Sequence, residues 1–199
     1  MGQQRSPARP SGRPRVESLT QGRGVRQAVA RRPGAVERQA GADATRDTQT
    51  LLVRRVKGAD IPQVIALDER VTGLAKPDYW LDVFRRYGKQ RLGERMFLIA
   101  EAANSQSPRQ VLGFIVGEVR AWEFGSAPCG WVLALSVEPS ARLRGAGRAL
   151  FDALSLEFRK AGVSKMRTMV ARDNQLHLLF FRGAGMMAGP YIQLEKDLD

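Results

Sequence analysis

Apolar and polar positions along this chain sort most cleanly between Trp131 and Ala161. Trp131 to Val137 is seven residues with Ser136 the only polar one. That run is too short for an ordinary helix and rich in Val, Leu and Trp, which predicts a strand covered on both faces. Pro139 ends it. From Gly147 onward Leu150, Phe151, Leu154, Phe158 and Ala161 recur at three- and four-residue spacing, while Asp152, Ser155, Glu157, Arg159 and Lys160 take the other side. This predicts an amphipathic helix that Gly162 is placed to end.

The same reading extends outward. Leu51 to Val56 predicts a first strand, and Asp60 is placed to cap a helix with Ile61, Val64, Ile65 and Leu67 on its apolar face. Pro62 falls in the first turn of that helix, where proline is tolerated. Pro77 to Phe84 predicts another helix with proline at its start. Met96 to Glu101 and Val111 to Glu123 read as neighbouring strands joined by the polar loop Ala103 to Arg109, with Phe114, Val116, Glu118, Arg120 and Trp122 sharing one face of the second. Lys165 to Val170 predicts a further strand. Asn174 then precedes Leu176, Leu178, Leu179, Phe180 and Phe181, a helix apolar almost all round and expected to be buried. Tyr191 to Leu198 predicts a final strand.

Composition divides the chain. Residues 1–49 hold ten Arg, no Lys and four acids, and lack Ile, Phe, Tyr and Trp. Such a segment cannot bury a core and is expected to be a disordered basic arm, with the folded domain over 50–199. The arm carries a formal +6, half of the chain's +12. Three readings of it stand side by side: contact with nucleic acid or an anionic membrane, a solvated tail, or upstream sequence read from a wrong start codon. Its lack of aromatic residues removes the means of stacking on bases. Met1-Gly2 to Ser6 fits a myristoylation pattern, and the acid-poor start loosely fits a transit peptide that Pro7, Pro10 and Pro14 disfavour. No apolar run is long enough for a signal or membrane segment. With Cys129 the only cysteine and His177 the only histidine, neither a disulfide framework nor a metal cluster is expected. A soluble cytoplasmic protein is the default expectation.

The joint between the central strand and helix carries the chemistry. Arg142-Leu143-Arg144-Gly145-Ala146-Gly147 places two glycines at a helix start, where the first backbone N–H groups have no intrahelical partner. Those groups, the helix dipole, Arg142 and Arg144 together suit a phosphate, and the glycines let it approach the backbone. An ordinary turn with surface arginines is the plain alternative. The run lacks the Lys-Ser/Thr ending of a P-loop and the third glycine of the dinucleotide fingerprint.

Val137-Glu138-Pro139, followed by Arg142-Leu143-Arg144-Gly145-Ala146-Gly147 and the amphipathic helix, resembles motif A of the GNAT N-acetyltransferase superfamily. Asn174 to Met186 resembles motif B, with Asn174, Phe180 and Gly185 matching, His177 replacing the usual Ala, and Phe181 standing where many members carry the Tyr that protonates the leaving CoA thiolate. The resemblance covers roughly residues 50–199. It implies a mixed α/β (α+β) fold with a mostly antiparallel central sheet flanked by helices, and an acetyltransferase that uses acetyl-CoA and no metal. Implied for cofactor binding are Leu135, Ser136 and Val137 on a strand that splays to admit the pantetheine arm, Arg142, Leu143, Arg144, Gly145, Ala146, Gly147 and Arg148 at the pyrophosphate, and Asn174, Phe180 and Phe181 of motif B.

Acyl transfer to an amine needs a base, and Glu118 and Glu123, on or just past the strand before motif A, are the candidates, with Asp68 and Glu69 behind them. Tyr191 is the substitute candidate for the acid that Phe181 cannot be. Each has a plain alternative as a solvated carboxylate or packed ring. Tyr79, Trp80, Trp122, Glu123 and Phe124 are candidate walls for an amine acceptor, small molecule or protein. Only 14 residues follow Gly185, room for one strand where the family usually ends in two, so a homodimer whose partner chain supplies the missing strand is a further expectation. Two other classes stay open: an acyl-CoA-binding module without turnover, and a nucleic-acid-associated protein acting through the arm.

Overall fold

The computed structural model describes residues 50–89, 93–103 and 110–198; the expected arm over 1–49 and most of the Ala103 to Arg109 loop lie outside the described residues. In chain order come β1 (Leu51–Arg55), α1 (Ile61–Thr72), α2 (Pro77–Val83), β2 (Arg95–Ala102), β3 (Val111–Arg120), β4 (Cys129–Val137), α3 (Ala146–Lys160), β5 (Met166–Arg167) and α4 (Gln175–Gly183). One sheet runs in the order β1-β2-β3-β4-β5; the first three junctions are antiparallel and β4–β5 is parallel, with α3 as the crossover. This is the mixed α/β fold, a mostly antiparallel sheet flanked by helices, that the resemblance to the GNAT superfamily implies.

Both faces of the sheet are covered, which is why β2 reads as an almost unbroken apolar run. Alternate residues Met96, Leu98 and Ala100 pack with Leu150, Leu154 and Phe158 of α3. Phe97 and Ile99 face the other way, with Phe114 and Val116 of β3, and meet Val64 and Leu67 of α1 and Trp80 of α2. Two glycines set how closely α3 approaches the sheet. A Cβ on Gly130 would lie 2.4 Å from the Phe158 ring and one on Gly117 2.8 Å from it, so the ring fills what would be side-chain space. Truncating Phe158 to Ala at this fully buried position costs about 3–5 kcal/mol of stability. The helix ends at Gly162, whose φ of +82° is the left-handed turn for which glycine suits.

Several expected boundaries move. Asp60 does not cap α1: its carboxylate accepts the Lys57 N–H at 2.7 Å and takes the Arg54 fork at 2.8 and 2.9 Å. Arg54 also reaches the buried Glu101 at 2.8 Å, so the cap position is given to an ion-pair network that ties β1 to β2. After α2 the chain makes a π-helical turn over Phe84–Lys89. β3 stops at Arg120, before Glu123, because Trp122 turns the chain at φ +62° and stands exposed. β5 spans two residues rather than Lys165 to Val170: the Thr168 hydroxyl donates to the Val132 carbonyl at 3.0 Å in place of a ladder bond. Of the apolar residues of α4 only Phe181 is buried, while Leu176 and Leu179 face outward, because the helix covers one edge of the core instead of entering it. Tyr191 to Leu198 forms no strand, and Ile192, Leu194 and Leu198 are exposed.

Candidate functional site

β4 is the axis of the candidate site. Its pairing with β3 runs Val116 to Ala134 and then Gly117 to Val132, so Leu133 is an extra residue bulged out of the ladder. On its other side β4 pairs with β5 only at Gly130 and Trp131; past that the Thr168 hydroxyl still reaches the Val132 carbonyl, and the ladder ends there. Leu135 to Val137, the stretch expected to splay, lies past the end of that ladder. Leu135 is buried, and Ser136 and Val137 are half-buried.

At the C-terminal end of β4 a 3-10 turn (Pro139–Arg144) leads into α3 through Gly145, which adopts φ +82° and ψ 5°. The first helical bond runs from the Ala149 N–H to the Gly145 carbonyl at 2.9 Å, and no side chain caps the helix. The N–H groups of Ala146, Gly147 and Arg148 thus precede the ladder, at the positive end of the helix dipole. Nothing lies within 4 Å of where a Gly145 Cβ would be, whereas a Gly147 Cβ would sit 3.1 Å from the Phe180 ring. The two glycines do different work: Gly145 faces open space at the helix start, and Gly147 lets α4 pack on α3. Arg142, Leu143, Arg144 and Arg148 are exposed around this turn. Arg142 donates to the Val137 carbonyl at 3.3 Å, and Arg148 pairs with Asp152 at 2.8 Å.

The motif B residues frame the same end of the molecule. Asn174 caps α4, its Oδ1 accepting the His177 N–H at 3.1 Å, and its Nδ2 lies 3.1 Å from His177 Nδ1. Phe180 and Phe181 both stack edge-on against Phe151 of α3, 6.0 and 6.1 Å away, so Phe181 is a core ring. Burial holds His177 below the ordinary histidine range, and the Arg142 charge adds to this, against a smaller opposing pull from the Leu135 backbone.

The candidate acids and bases lie toward the other end of β4. Glu118 accepts from the Tyr87 hydroxyl at 2.6 Å and from Arg120 Nε at 2.8 Å, with Arg95 at 3.9 Å. Burial alone would raise its pKa, but these donors and charges hold it below the usual carboxylate range. Burial and the same carboxylate push Tyr87 up to about 12. A base for an amine works best with a pKa near the operating pH, so Glu118 in this arrangement is a satisfied acceptor. Glu123 meets Arg120 Nη1 at 3.7 Å and is more exposed. Tyr191 stands apart under the Arg167 guanidinium, 4.6 Å from its ring centre. Asp68 takes the Trp80 indole N–H and Lys76, both at 2.8 Å, and serves the packing of α1 on α2. Cys129 is buried.

Beside the bulge lies a cavity of about 280 Å³, walled by Tyr79, Val83, Arg86 and Tyr87 on one side and Leu133 and Ala134 on the other. Among the expected acceptor walls whose side chains are described, Tyr79 lines it; Trp80 is buried in the core and Trp122 is exposed. Arg86 and Tyr87 went unnoticed in the sequence, and the one signal for them was that helical periodicity fails after Phe84. Among the described residues no group of acids, His and Cys could hold a metal ion.

A β4–β5 ladder that stops short of an uncapped, glycine-led helix start is the arrangement that the motif A resemblance implies. The profile of the acetyltransferase (GNAT) family matches residues 61–186, more than half of the chain, and the chain belongs to that family. No curated protein matches it. Among solved structures it is similar to the aminoglycoside N-acetyltransferase AAC(6')-Iy in complex with CoA, at 16% identity and a TM-score of 0.63, over 74% of this chain and 95% of that one. It is similar also to the aminoglycoside 6'-N-acetyltransferase AAC(6')-Ih from Acinetobacter baumannii (14%, 0.62, 75% and 100%). A transcriptional regulator from Bacillus halodurans C-125 shares the fold as well (13%, 0.61, 75% and 100%). At these identities the likeness is one of fold.

Proposed function

We propose that residues 50–199 bind acetyl-CoA and transfer its acetyl group directly to a primary amine. The observation that carries this reading is the uncapped start of α3, where Gly145 at φ +82° opens onto empty space just after the exposed Arg142 and Arg144, at the end of a strand whose ladder with β5 stops at Trp131. The donor set suits a pyrophosphate: backbone N–H groups, a helix dipole and exposed guanidinium groups. Leu135 to Val137 would lie along the pantetheine arm, and a backbone N–H at or beyond the bulge would hold the thioester oxygen as it gains charge. Asn174, Phe180 and Phe181 support this end from α4, Asn174 by capping and the rings by packing.

Bound acetyl-CoA supplies an acetyl group activated as a thioester. The protein's part is to hold a neutral amine against it. The amine lone pair forms the new C–N bond as the C–S bond breaks; nitrogen loses one proton and the thiolate gains one. Of the two carboxylate candidates Glu123 has the freer oxygens, so it takes the proton through water, while Glu118 holds Tyr87 and Arg120 in place. Tyr191 would return a proton only by moving off Arg167, and the thiolate otherwise takes its proton from solvent. A second reading, an acyl-CoA-binding module without turnover, is favoured by the core position of Phe181.

Calorimetric titration of the full-length chain with acetyl-CoA, followed by thiol release with a panel of primary amines, tests both readings. Saturable binding with amine-dependent thiol release is the expected result. Binding without release selects the second reading, and no binding overturns both. No helix among the described residues is long and apolar enough to cross a membrane.

A further inference from the structure

The cavity beside the β4 bulge carries information about which amine this chain accepts. It lies against Leu133 and Ala134, where β4 bulges beside the place proposed for the thioester. Its volume, about 280 Å³, falls at the small end of ligand pockets and suits an acceptor of amino-acid to dipeptide size.

The charge of its walls is one-sided. Among the described residues that line it, Arg86 is the only charged one, and none bears a carboxylate. The carboxylate behind this wall, Glu118, already meets Tyr87, Arg120 and Arg95. The guanidinium groups of Arg95 and Arg86 lie 5.4 and 5.7 Å from the centre of the Tyr87 ring, so positive charge flanks the cavity wall. An acceptor with several ammonium groups would meet no carboxylate on the described lining, the nearby Asp82 being paired with Arg86, inside a chain that already carries a formal +12. An acceptor with one amine and one anionic group meets a suitable partner. Arg86 now pairs with Asp82 at 2.6 Å, one helical turn back, and both side chains are about half exposed. Exposed pairs of this kind are weak and exchangeable, whereas a planar fork holds an incoming carboxylate or phosphate by two parallel hydrogen bonds.

We propose that the acceptor is a small amine bearing an anionic group, which Arg86 holds in the cavity between the π-helical turn and the β4 bulge while the amine faces the thioester. This rests on the acetyl-transfer reading above and narrows it. The anionic group anchors and takes no part in bond making: the amine nitrogen gains the acetyl carbon, CoA leaves as the thiol, and the extra proton of an entering ammonium goes to solvent. The aminoglycosides named for the solved relatives are polycations, and the fold alone does not bring that specificity here.

Thiol release by the full-length chain at saturating acetyl-CoA is the test, with L-glutamate and L-aspartate as amino carboxylates, O-phosphoethanolamine as the amino phosphate, sisomicin as the polycation and benzylamine as the amine without an anion. At least one anionic amine is expected to exceed both sisomicin and benzylamine in kcat/KM by about tenfold, and the better of the two anionic kinds identifies the anchor. Arg86→Ala should raise the KM for that amine about tenfold and leave kcat and the acetyl-CoA Kd unchanged, since only the anchoring contact is lost. Arg86→Lys, which keeps the charge, should recover most of the loss; a folding defect would not be relieved in that way. Preference for sisomicin or benzylamine, an unchanged KM in Arg86→Ala, or no turnover of any anionic amine by a chain that binds acetyl-CoA overturns the proposal. Failure to bind acetyl-CoA overturns the acetyl-transfer reading instead.

Discussion

The two ends of β4 are built on opposite plans. At its C-terminal end the start of α3 is left open: N–H groups without helical partners, no capping side chain, and a glycine facing empty space. Toward the other end Glu118 is closed in, every strong donor near it already engaged. Both regions hold charge of the kind that marks functional sites, yet only the first has capacity left over. A site for an anion is recognised by donors still waiting for one, whereas a satisfied ion-pair cluster belongs to the architecture until something disturbs it.

The largest expected effect breaks the open end. Gly145→Glu puts a carboxylate where the pyrophosphate would lie, and two unit charges 4 Å apart near a protein surface repel by about 4 kcal/mol. Acetyl-CoA affinity should fall at least a hundredfold, about 2.7 kcal/mol, by calorimetry. Gly145→Ala is the control: it adds only a Cβ at a left-handed position, so it should lower stability by about 1 kcal/mol and weaken binding far less. Equal losses from the two variants would mean that Gly145 serves the turn and not the ligand.

The closed end should answer with stability instead. Glu118→Ala leaves the hydroxyl of the buried Tyr87, and Arg120, without their acceptor, at a cost of about 2 kcal/mol, or a Tm lower by about 5 °C. Tyr87→Phe should cost about half as much, and the double variant less than the sum, because the two share one bond. Acetyl-CoA binding should be untouched throughout. If Glu118→Ala kept its Tm and lost acetyl transfer, Glu118 would be a catalytic base after all.

A smaller effect separates the two ends by pH. His177, near the open end and the only histidine, has its folded pKa lowered from 6.5, so the folded state binds its proton less readily than the unfolded chain. Its contribution to stability is complete above pH 6.5 and is lost as the pH falls toward its folded value. Glu118 is lowered from 4.5, so its contribution persists at neutral pH and fades only as the pH falls below 4.5. Melting curves between pH 7.5 and 4 should therefore decline in two stages. His177→Ala should remove the first and keep the second; a first stage that survives the substitution would place its origin elsewhere.

The open end was legible in the sequence because its determinants are local. Gly145, Gly147 and the three- and four-residue spacing from Leu150 to Phe158 fix a turn and a helix within a short stretch of chain. The sequence did not distinguish the two glycines, since Gly147 meets Phe180 from a helix that follows much later. The cavity beside the β4 bulge was not legible for the same kind of reason. Tyr87 and Arg86 reach it through a π-helical turn, and the bond that holds Tyr87 spans 31 residues to Glu118 on β3. The bulge at Leu133 likewise exists only relative to β3. The seven-residue strand core at Trp131 announced itself, but the shortness of β5 depends on Thr168 reaching across to Val132, which no periodicity encodes. Alternating Ile192, Leu194 and Leu198 look like a strand, yet alternation needs a partner edge to become one.

The smallest expected effect asks what the open end is made of. Arg148 belongs to the first turn of α3 and pairs with Asp152, four residues on, with both side chains more than half exposed. Such pairs contribute about 0.3–0.5 kcal/mol, and a cation near the positive end of a helix dipole gives part of that back. Arg148→Ala should therefore shift Tm by about 1 °C or less. Because Asp152 already neutralises the guanidinium, acetyl-CoA affinity should weaken by no more than about threefold, well short of the loss in Gly145→Glu. A loss as large as that of Gly145→Glu would mean that arginine side chains, and not the backbone N–H groups, hold the phosphates. In that case the left-handed turn at Gly145 would matter for aiming Arg142, Arg144 and Arg148, and the distinction between the open and closed ends of β4 would be one of side-chain charge, not of unspent backbone donors.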